Sequence, residues 1–192
     1  FFTAAEEREH PPYKGKPVIV GADPKGGKGR GVVSTSNYEA RKAGVKSGMP
    51  ISRAWKLCPE AIYLPVSDAL YTEVSNKIME ILRTYAGKFE QWGIDEAFLD
   101  VTSKVKNFGD AEAIARHIKK EILEKEKLTC SIGIGSNKLV AKIASDFQKP
   151  DGLTIVKAEE SEKFLAPLPV RKLLWVGRKT DEKLKTTGIT TV

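Results

Sequence analysis

The sequence predicts an α+β protein: residues 61–156 run strand–helix–strand–strand–helix–strand, the order of a ferredoxin-like antiparallel sheet with helices packed on it. Two observations carry this prediction. Long stretches with apolar residues at three- and four-residue steps alternate with short β-branched runs, and the turn-forming residues fall between them. A 41% apolar content over 192 residues is enough to bury a core and corresponds to one large or two small domains. A smaller α/β region precedes this sheet, and a short helical segment follows it.

Taken in order, residues 1–9 place Phe1, Phe2 and Ala5 among Glu and Arg, the pattern of a helix that ends before Pro11-Pro12. Residues 17–22 and 31–36 are strand-like runs separated by the Gly- and Lys-rich stretch 24–30, which predicts a hairpin with a mobile loop. Asn37 suits the cap of a short helix through Gly44, and Pro50 at a first helical position opens another that ends at Cys58-Pro59. Residues 61–65 read as a strand. Leu70, Val74, Ile78, Ile81, Leu82 and Tyr85 then mark an amphipathic helix stopped at Gly87. Strand-like residues 89–92 and 97–101 flank Gly93-Ile94-Asp95-Glu96, so an antiparallel pair would carry two carboxylates at its joint. Ala111, Ile114, Ala115, Ile118, Ile122 and Leu123 define a second long helix. After it come a buried strand at 128–135, a helix capped by Ser136 and running to Phe147, and a last strand at 152–156. Pro167 and Pro169 suggest a linker, and Arg171 onward is short, basic and helical in character.

Thirty-two basic against twenty-five acidic residues give a net charge of +7. That suits a polyanionic partner such as nucleic acid, although solubility alone also explains it. Cys58 and Cys130 are isolated and match no Cys-x-x-Cys spacing, so neither a zinc site nor a disulfide framework is indicated and a reducing, cytoplasmic setting fits best. No apolar run approaches the roughly 18 residues of a membrane span, so no membrane partner is expected. The loop Lys25-Gly26-Gly27-Lys28-Gly29-Arg30 lacks the Gly-Lys-Ser/Thr ending of a phosphate-binding P-loop. His10 and His117 have no partners at ligand spacing, and Trp55, Trp92 and Trp175 are expected to pack rather than to serve as base-stacking platforms.

Two clusters stand out chemically. Adjacent carboxylates at a strand end can hold a divalent magnesium ion, which favours hard oxygen ligands and keeps positions open for substrate phosphates. Asp95-Glu96 has that arrangement; acidic pairs such as Glu159-Glu160 read equally well as solvated surface, and only the apolar flanks set Asp95-Glu96 apart. Tyr38 and Arg41, three residues apart near a helix start, suit phosphate oxygens, and they suit an exposed helix with a half-buried tyrosine as well. Residues 37–56 hold Arg41, Lys42, Lys46, Arg53 and Lys56 against Glu39 alone.

These segments together resemble the Y-family, lesion-bypass DNA polymerases of the DNA polymerase IV and archaeal branch. The blocks that carry the resemblance are Phe1-Phe2, Gly15-Lys16-Pro17, Ser36-Asn37-Tyr38-Glu39-Ala40-Arg41 and Gly48-Met49-Pro50. They continue with residues 94–102, Gly133-Ile134-Gly135, Asn137-Lys138, residues 141–146 and Lys149-Pro150. The resemblance implies template-directed addition of deoxynucleotides to a primer 3′ end with two Mg2+ ions, which Asp95 and Glu96 would hold. It implies that Phe1, Phe2, Thr35, Tyr38, Arg41 and Lys149 contact the deoxynucleoside triphosphate, that Phe2 is a steric gate against a ribose 2′-hydroxyl, and that Val32 and Ser34 roof the nascent base pair. Primer–template DNA would touch Gly177 and Lys179 in a segment resembling a helix–hairpin–helix, where Trp175 stands at a position commonly occupied by glycine. Fingers would span residues 9–67, palm 1–8 and 68–156, and a partial thumb 157–192. The resemblance further implies a first catalytic aspartate ahead of Phe1, without which these residues alone would be inactive. It also implies a little-finger domain and a sliding-clamp contact beyond Val192. Two competing readings are a nucleotidyl cyclase, against which the 37–56 block argues, and a basic DNA-binding module with a degenerate site.

Overall fold

The computed structural model describes residues 1–192 as α+β, with eight α-helices and seven strands. In chain order the elements are α1 (Phe2–Glu9), β1 (Val18–Gly21), β2 (Val33–Ser36), α2 (Tyr38–Lys42), α3 (Ile51–Leu57), β3 (Ile62–Leu64), α4 (Asp68–Tyr85), β4 (Lys88–Trp92), β5 (Glu96–Asp100), α5 (Phe108–Glu126), β6 (Ile132–Ile134), α6 (Lys138–Phe147), β7 (Leu153–Ile155), α7 (Ser161–Leu165) and α8 (Arg178–Thr186). They form two compact units: Phe1–Met79 with Trp92–Glu96, and Glu80–Gln91 with Ala97–Val192.

The first unit is organised by β1. Val18, Ile19 and Val20 are all fully buried, so this strand needs a neighbour on each edge. β2 lies antiparallel on one edge, with Ile19 opposite Ser36 and Val20 opposite Thr35, and a bulge follows where Gly21 meets Val33. A Cβ on Gly21 would sit 2.6 Å from the Val32 carbonyl oxygen, so only glycine allows the bulge. β3 takes the other edge in parallel register, Ile19 opposite Tyr63. Residues 61–65 therefore do not open a ferredoxin-like sheet with the later strands, because β3 is the second neighbour of β1. Ile19 and Val33 pack with Ala40, Ile51 and Ala54 from the two short helices and with Val45 and Cys58, which follow them. Pro50 is the cap before α3 and not its first residue. The 24–30 stretch contains a single 3-10 turn, Lys25–Gly27, clipped by the Asp23 carboxylate and the Pro24 carbonyl.

In the second unit α5 presents Ala111, Ala115, Ile118 and Ile122 to the interior at three- and four-residue steps, starts at an Asn107 cap and ends on Lys127 at φ +55°. β6 and β7 pair in parallel, Ile132 opposite Leu153. The strand predicted at 128–135 shortens to three residues, and the cap of α6 is Asn137 instead of Ser136, its side chain accepting the Val140 N–H at 3.0 Å. A Cβ on Gly133 would fall 2.0 Å from the Ala141 carbonyl oxygen, so glycine is what lets α6 lie against β6. Val140 and Ala144 of α6 pack with Val156, Phe164 and Leu165. Of the three tryptophans expected to pack, Trp55 is half-buried with its ring 5.4 Å from Tyr63, and Trp92 is half-buried. Trp175 instead is 81% exposed at φ +69°.

Two predictions follow from this packing. Ile19→Ala, at the centre of the three-stranded sheet, is expected to cost about 2–5 kcal/mol. Leu123→Ala, on the half-exposed outer face of α5, should stay within about 0.5 kcal/mol, both read from urea denaturation midpoints. The second concerns alkali. Burial, with the hydrogen bond to Glu6 next, pushes the Tyr71 phenol well above its usual range; burial and the nearby Cys58 and Glu60 raise Tyr63 to about 12. The hydrogen bond to Glu121, then burial, raises Tyr85 to about 12. A raised folded pKa gives stability that is complete below the unfolded value near 10 and is lost as pH climbs toward the folded one. Stability should therefore fall above about pH 10, and less steeply in Tyr71→Phe, measured by urea titration at pH 8 to 11.5.

Candidate active site

The acidic turn joins β4 to β5 through Gly93, Ile94 and Asp95, with Gly93 at φ +72°, a left-handed position that a three-residue connection between strands requires. Asp95 closes the turn, exposed and in no ion pair, and Glu96 begins β5 half-buried. The turn is held from below by α4: the Ser75 hydroxyl, 2% exposed, donates to the Ile94 carbonyl at 2.5 Å. Two hard carboxylate oxygen donors without a third acid, histidine or cysteine form no closed metal cage among these residues. They match the chemistry of a magnesium ion, which uses one or two carboxylates and leaves the rest of its shell to water and phosphate.

One helical turn earlier on α4, four residues before Ser75 and on the same face, is Tyr71. Its ring lies flat against Phe2, with centroids 4.1 Å apart and planes 9° from parallel, and its hydroxyl donates to Glu6 Oε1 at 2.7 Å. Glu6 is only 6% exposed and stands four residues after Phe2 on α1, so one helix face supplies both the ring and the anchor. Phe1 tilts against Phe2 at 6.1 Å. A single face of α4 thus positions the Phe2 ring and the turn bearing Asp95.

The basic cluster is set by Asn37. Its Oδ1 accepts the N–H groups of Ala40 and Val18, both at 3.0 Å, while its Nδ2 donates to the Lys16 carbonyl and to Glu7 Oε1, each at 2.7 Å. One side chain therefore caps α2 and ties it to α1 and β1. Arg41, on α2, donates its Nε to the Ser36 carbonyl at 2.9 Å and lies 5.1 Å over the Tyr38 ring, a cation–π contact that holds the guanidinium flat. No hydrogen bond or ion pair engages its two terminal nitrogens, whose end-on edge suits a bidentate oxyanion. Tyr38 is 47% exposed, Thr35 is half-buried on β2, and Val32, just before that strand, and Ser34, within it, are both exposed.

Phe1, Phe2, Val32, Ser34, Thr35, Tyr38, Arg41, Asp95 and Glu96 all belong to the first unit. Lys149, Gly177 and Lys179 belong to the second. Lys149 Nζ is 2.6 Å from Asp146 Oδ1. Burial alone would raise the Asp146 carboxyl, but Lys149 and Lys142 outweigh it and keep it below the usual range. Gly177 is the exposed cap of α8, without a side chain to bond its first turn, and Lys179 is exposed beside it. Sequence reasoning missed Tyr71, Ser75 and Glu6. The available signal was the Tyr71-x-x-x-Ser75 spacing at the margin of the apolar stripe, where a polar pair four apart shares a helix face.

Comparison with known proteins identifies the family. A model of the impB/mucB/samB family matches residues 1–146. DNA polymerase IV 2 of Methanosarcina mazei is 56% identical over 192 residues, covering 100% of this chain and 52% of the relative. A Y-family DNA polymerase chimera of Dbh and Dpo4 superposes with a TM-score of 0.94 at 45% identity, over 100% of this chain and 56% of that one. An insertion ternary complex of Dbh DNA polymerase does so with a TM-score of 0.93 at 44% identity, over 100% and 56%. The chain spans about half the length of the curated relatives it matches. With its acidic turn, its stacked aromatic pair and its Arg41–Tyr38 cluster in one unit, and with these likenesses along its whole length, the chain belongs to the impB/mucB/samB family of Y-family DNA polymerases.

Proposed function

We propose that the protein to which these residues belong is a template-directed DNA polymerase of the translesion type, adding deoxynucleotides to a primer 3′ end by metal-assisted phosphoryl transfer. The observation that carries this reading is the single α4 face on which Tyr71 seats the Phe2 ring and Ser75 seats the turn bearing Asp95. A sugar-reading aromatic and a pair of metal-binding acids are both needed at one nucleotide, and one rigid helix supplies both supports.

In this reading Asp95 and Glu96 would be the carboxylate ligands that hold the catalytic magnesium ions. Bound there, the metal supplies charge neutralisation for the transferring phosphoryl group and a more acidic primer hydroxyl. The remaining work falls to the chain itself. Arg41 and Tyr38, with Thr35 and Lys149, grip the triphosphate and offset the charge that develops on its oxygens. Arg41 is suited to this because its Nε is already committed to Ser36, so its terminal nitrogens need no reorganisation. Phe1 packs against the gate, and Phe2 excludes a 2′-hydroxyl by clash; face-to-face stacking on Tyr71 keeps its ring from swinging aside. Exposed Val32 and Ser34 are small residues over the base pair and leave room for a damaged template. Gly177 and Lys179 bind a DNA phosphate at the open first turn of α8. We assign fingers to residues 9–67, palm to 1–8 and 68–156 and thumb to 157–192. Free Cys58 and Cys130 support a cytoplasmic setting, and no helix is long and apolar enough to cross a membrane.

The test is primer extension by the full-length protein with Mg2+. Asp95→Ala and Glu96→Ala are each expected to lower the extension rate by more than about 100-fold, beyond the 10- to 100-fold typical of residues one step removed from a metal. Primer–template affinity should stay within about twofold, since a metal ligand is lost and no phosphate contact. Extension unchanged in either variant sinks the assignment. Phe2→Ala should reduce discrimination against ribonucleoside triphosphates by on the order of 100-fold, read as the ratio of kcat/KM values for paired deoxy- and ribonucleotides. An unaltered ratio would leave Phe2 as packing alone.

A further inference from the structure

The helix α5 carries Lys119, Lys120 and Lys125. Two of them answer acids four residues away on the same helix: Lys120 reaches Glu124 at 3.7 Å and Lys125 reaches Glu121 at 2.5 Å, both with exposed side chains. Lys119 has Leu123 at that spacing and turns elsewhere. Its side chain is only 19% exposed, and its ammonium donates to the Cys130 carbonyl at 2.6 Å, the Asp151 carbonyl at 2.9 Å and Asp151 Oδ1 at 2.5 Å. The three N–H groups of the ammonium thus meet oxygens that lie 11 and 32 residues further along the chain. A lysine on a helix ordinarily leaves its charge in water. Here that hydration is exchanged for groups that need a donor, since Cys130 and Asp151 stand just ahead of the β6–β7 ladder, whose first pair is Ile132 with Leu153.

The loop held in this way contains Lys149. Asp151 stands at φ +54°, a left-handed position that aspartate enters more readily than most residues. A Cβ on Gly152 would fall 2.4 Å from the Gln148 carbonyl oxygen, so the chain folds back tightly on the end of α6. Lys149 lies inside this fold-back. On one side Asp146 Oδ1 takes its ammonium at 2.6 Å. On the other, Asp151 is clamped by Lys119 at backbone and side chain together, two residues from Lys149. A lysine ammonium on its flexible stem is aimed only as well as its backbone is fixed, and a displacement of about 1 Å at a substrate-gripping group costs up to about 100-fold in rate.

We propose that Lys119 is a positioning residue for Lys149: by fastening Asp151 to α5, it sets where the Lys149 ammonium meets the triphosphate of the incoming nucleotide. The proposal rests on the polymerase reading above, in which Lys149 grips the triphosphate, and adds to it a residue whose donors are committed within the chain.

The test is insertion of a single deoxynucleotide by the full-length protein with Mg2+, read as kcat/KM in a double-mutant cycle. Lys149→Ala is expected to lower kcat/KM by about 30-fold, the loss of one charged contact. Lys119→Met, which keeps the stem and loses the charge, should lower it by about tenfold. Asp151→Asn leaves the backbone carbonyls in place and tolerates the left-handed backbone; it should cost about fivefold, and it carries the same comparison if Lys119→Met fails to fold. Added to Lys149→Ala, each change should cost no more than about a further twofold, because the group it positions is gone. A merely structural role would instead multiply with Lys149→Ala, and full multiplication of the losses would overturn the proposal. So would kcat/KM within about twofold of the unaltered protein in the single Lys119 and Asp151 variants. Those two results leave the polymerase reading standing, whereas Lys149→Ala without effect would overturn the triphosphate role of Lys149 and the proposal with it.

Discussion

The hydrogen bond between the Tyr71 hydroxyl and the Glu6 carboxylate is the interaction on which the arrangement of the first unit depends. A carboxylate that is 6% exposed cannot be left without a partner, and removing one would cost about 1–3 kcal/mol or more. Meeting that requirement fixes α1 against α4 in one rotational setting, because donor and acceptor must come within 2.7 Å. Phe2, one turn from Glu6, is then delivered onto the Tyr71 ring. Ser75, one turn from Tyr71, is delivered under the Ile94 carbonyl. A change at Glu6 would therefore be felt at both the aromatic gate and the acidic turn without touching either.

Asn37 plays the corresponding part for the basic cluster. Four hydrogen bonds from one amide leave neither its oxygen nor its nitrogen free to relax, so α2 starts at one place relative to β1 and α1. Arg41 follows from that start, one turn in, where its Nε reaches the Ser36 carbonyl. The first unit thus uses apolar burial of β1 for cohesion and a few saturated polar side chains for direction. That division suits a site whose substrate is charged and must be met by groups already oriented.

Much of the architecture was legible in the order of residues. The long helices α4 and α5 were visible because apolar residues recur at 3.6-residue spacing over many turns, and the joint at Asp95-Glu96 because two strand-like runs flank a glycine. Asn37 was identified as a cap by residue type, and it caps. Less was legible where several partners compete for one segment. Residues 61–65 were readable as a strand but not as the parallel neighbour of β1, since pairing depends on which edge is most costly to leave open. Ser136 and Asn137 both suit a cap, and only the path of the chain into α6 selects Asn137. Trp175 was expected to pack, and it is 81% exposed at a positive φ.

By itself the sequence determined the α+β class, the element order, the acidic pair between strands and the Tyr38–Arg41 pair, because each is a property of residue types at short spacing. Its blocks were also enough to indicate the family. Tertiary structure alone decided that Tyr71, Glu6 and Ser75 support the site, and that the chain's most exposed large apolar side chain is a tryptophan in a basic turn. The reason is range: periodicity and capping act over three or four residues, whereas Glu6 meets Tyr71 across 65 positions of chain, and such a meeting exists only once burial has brought the two helices together.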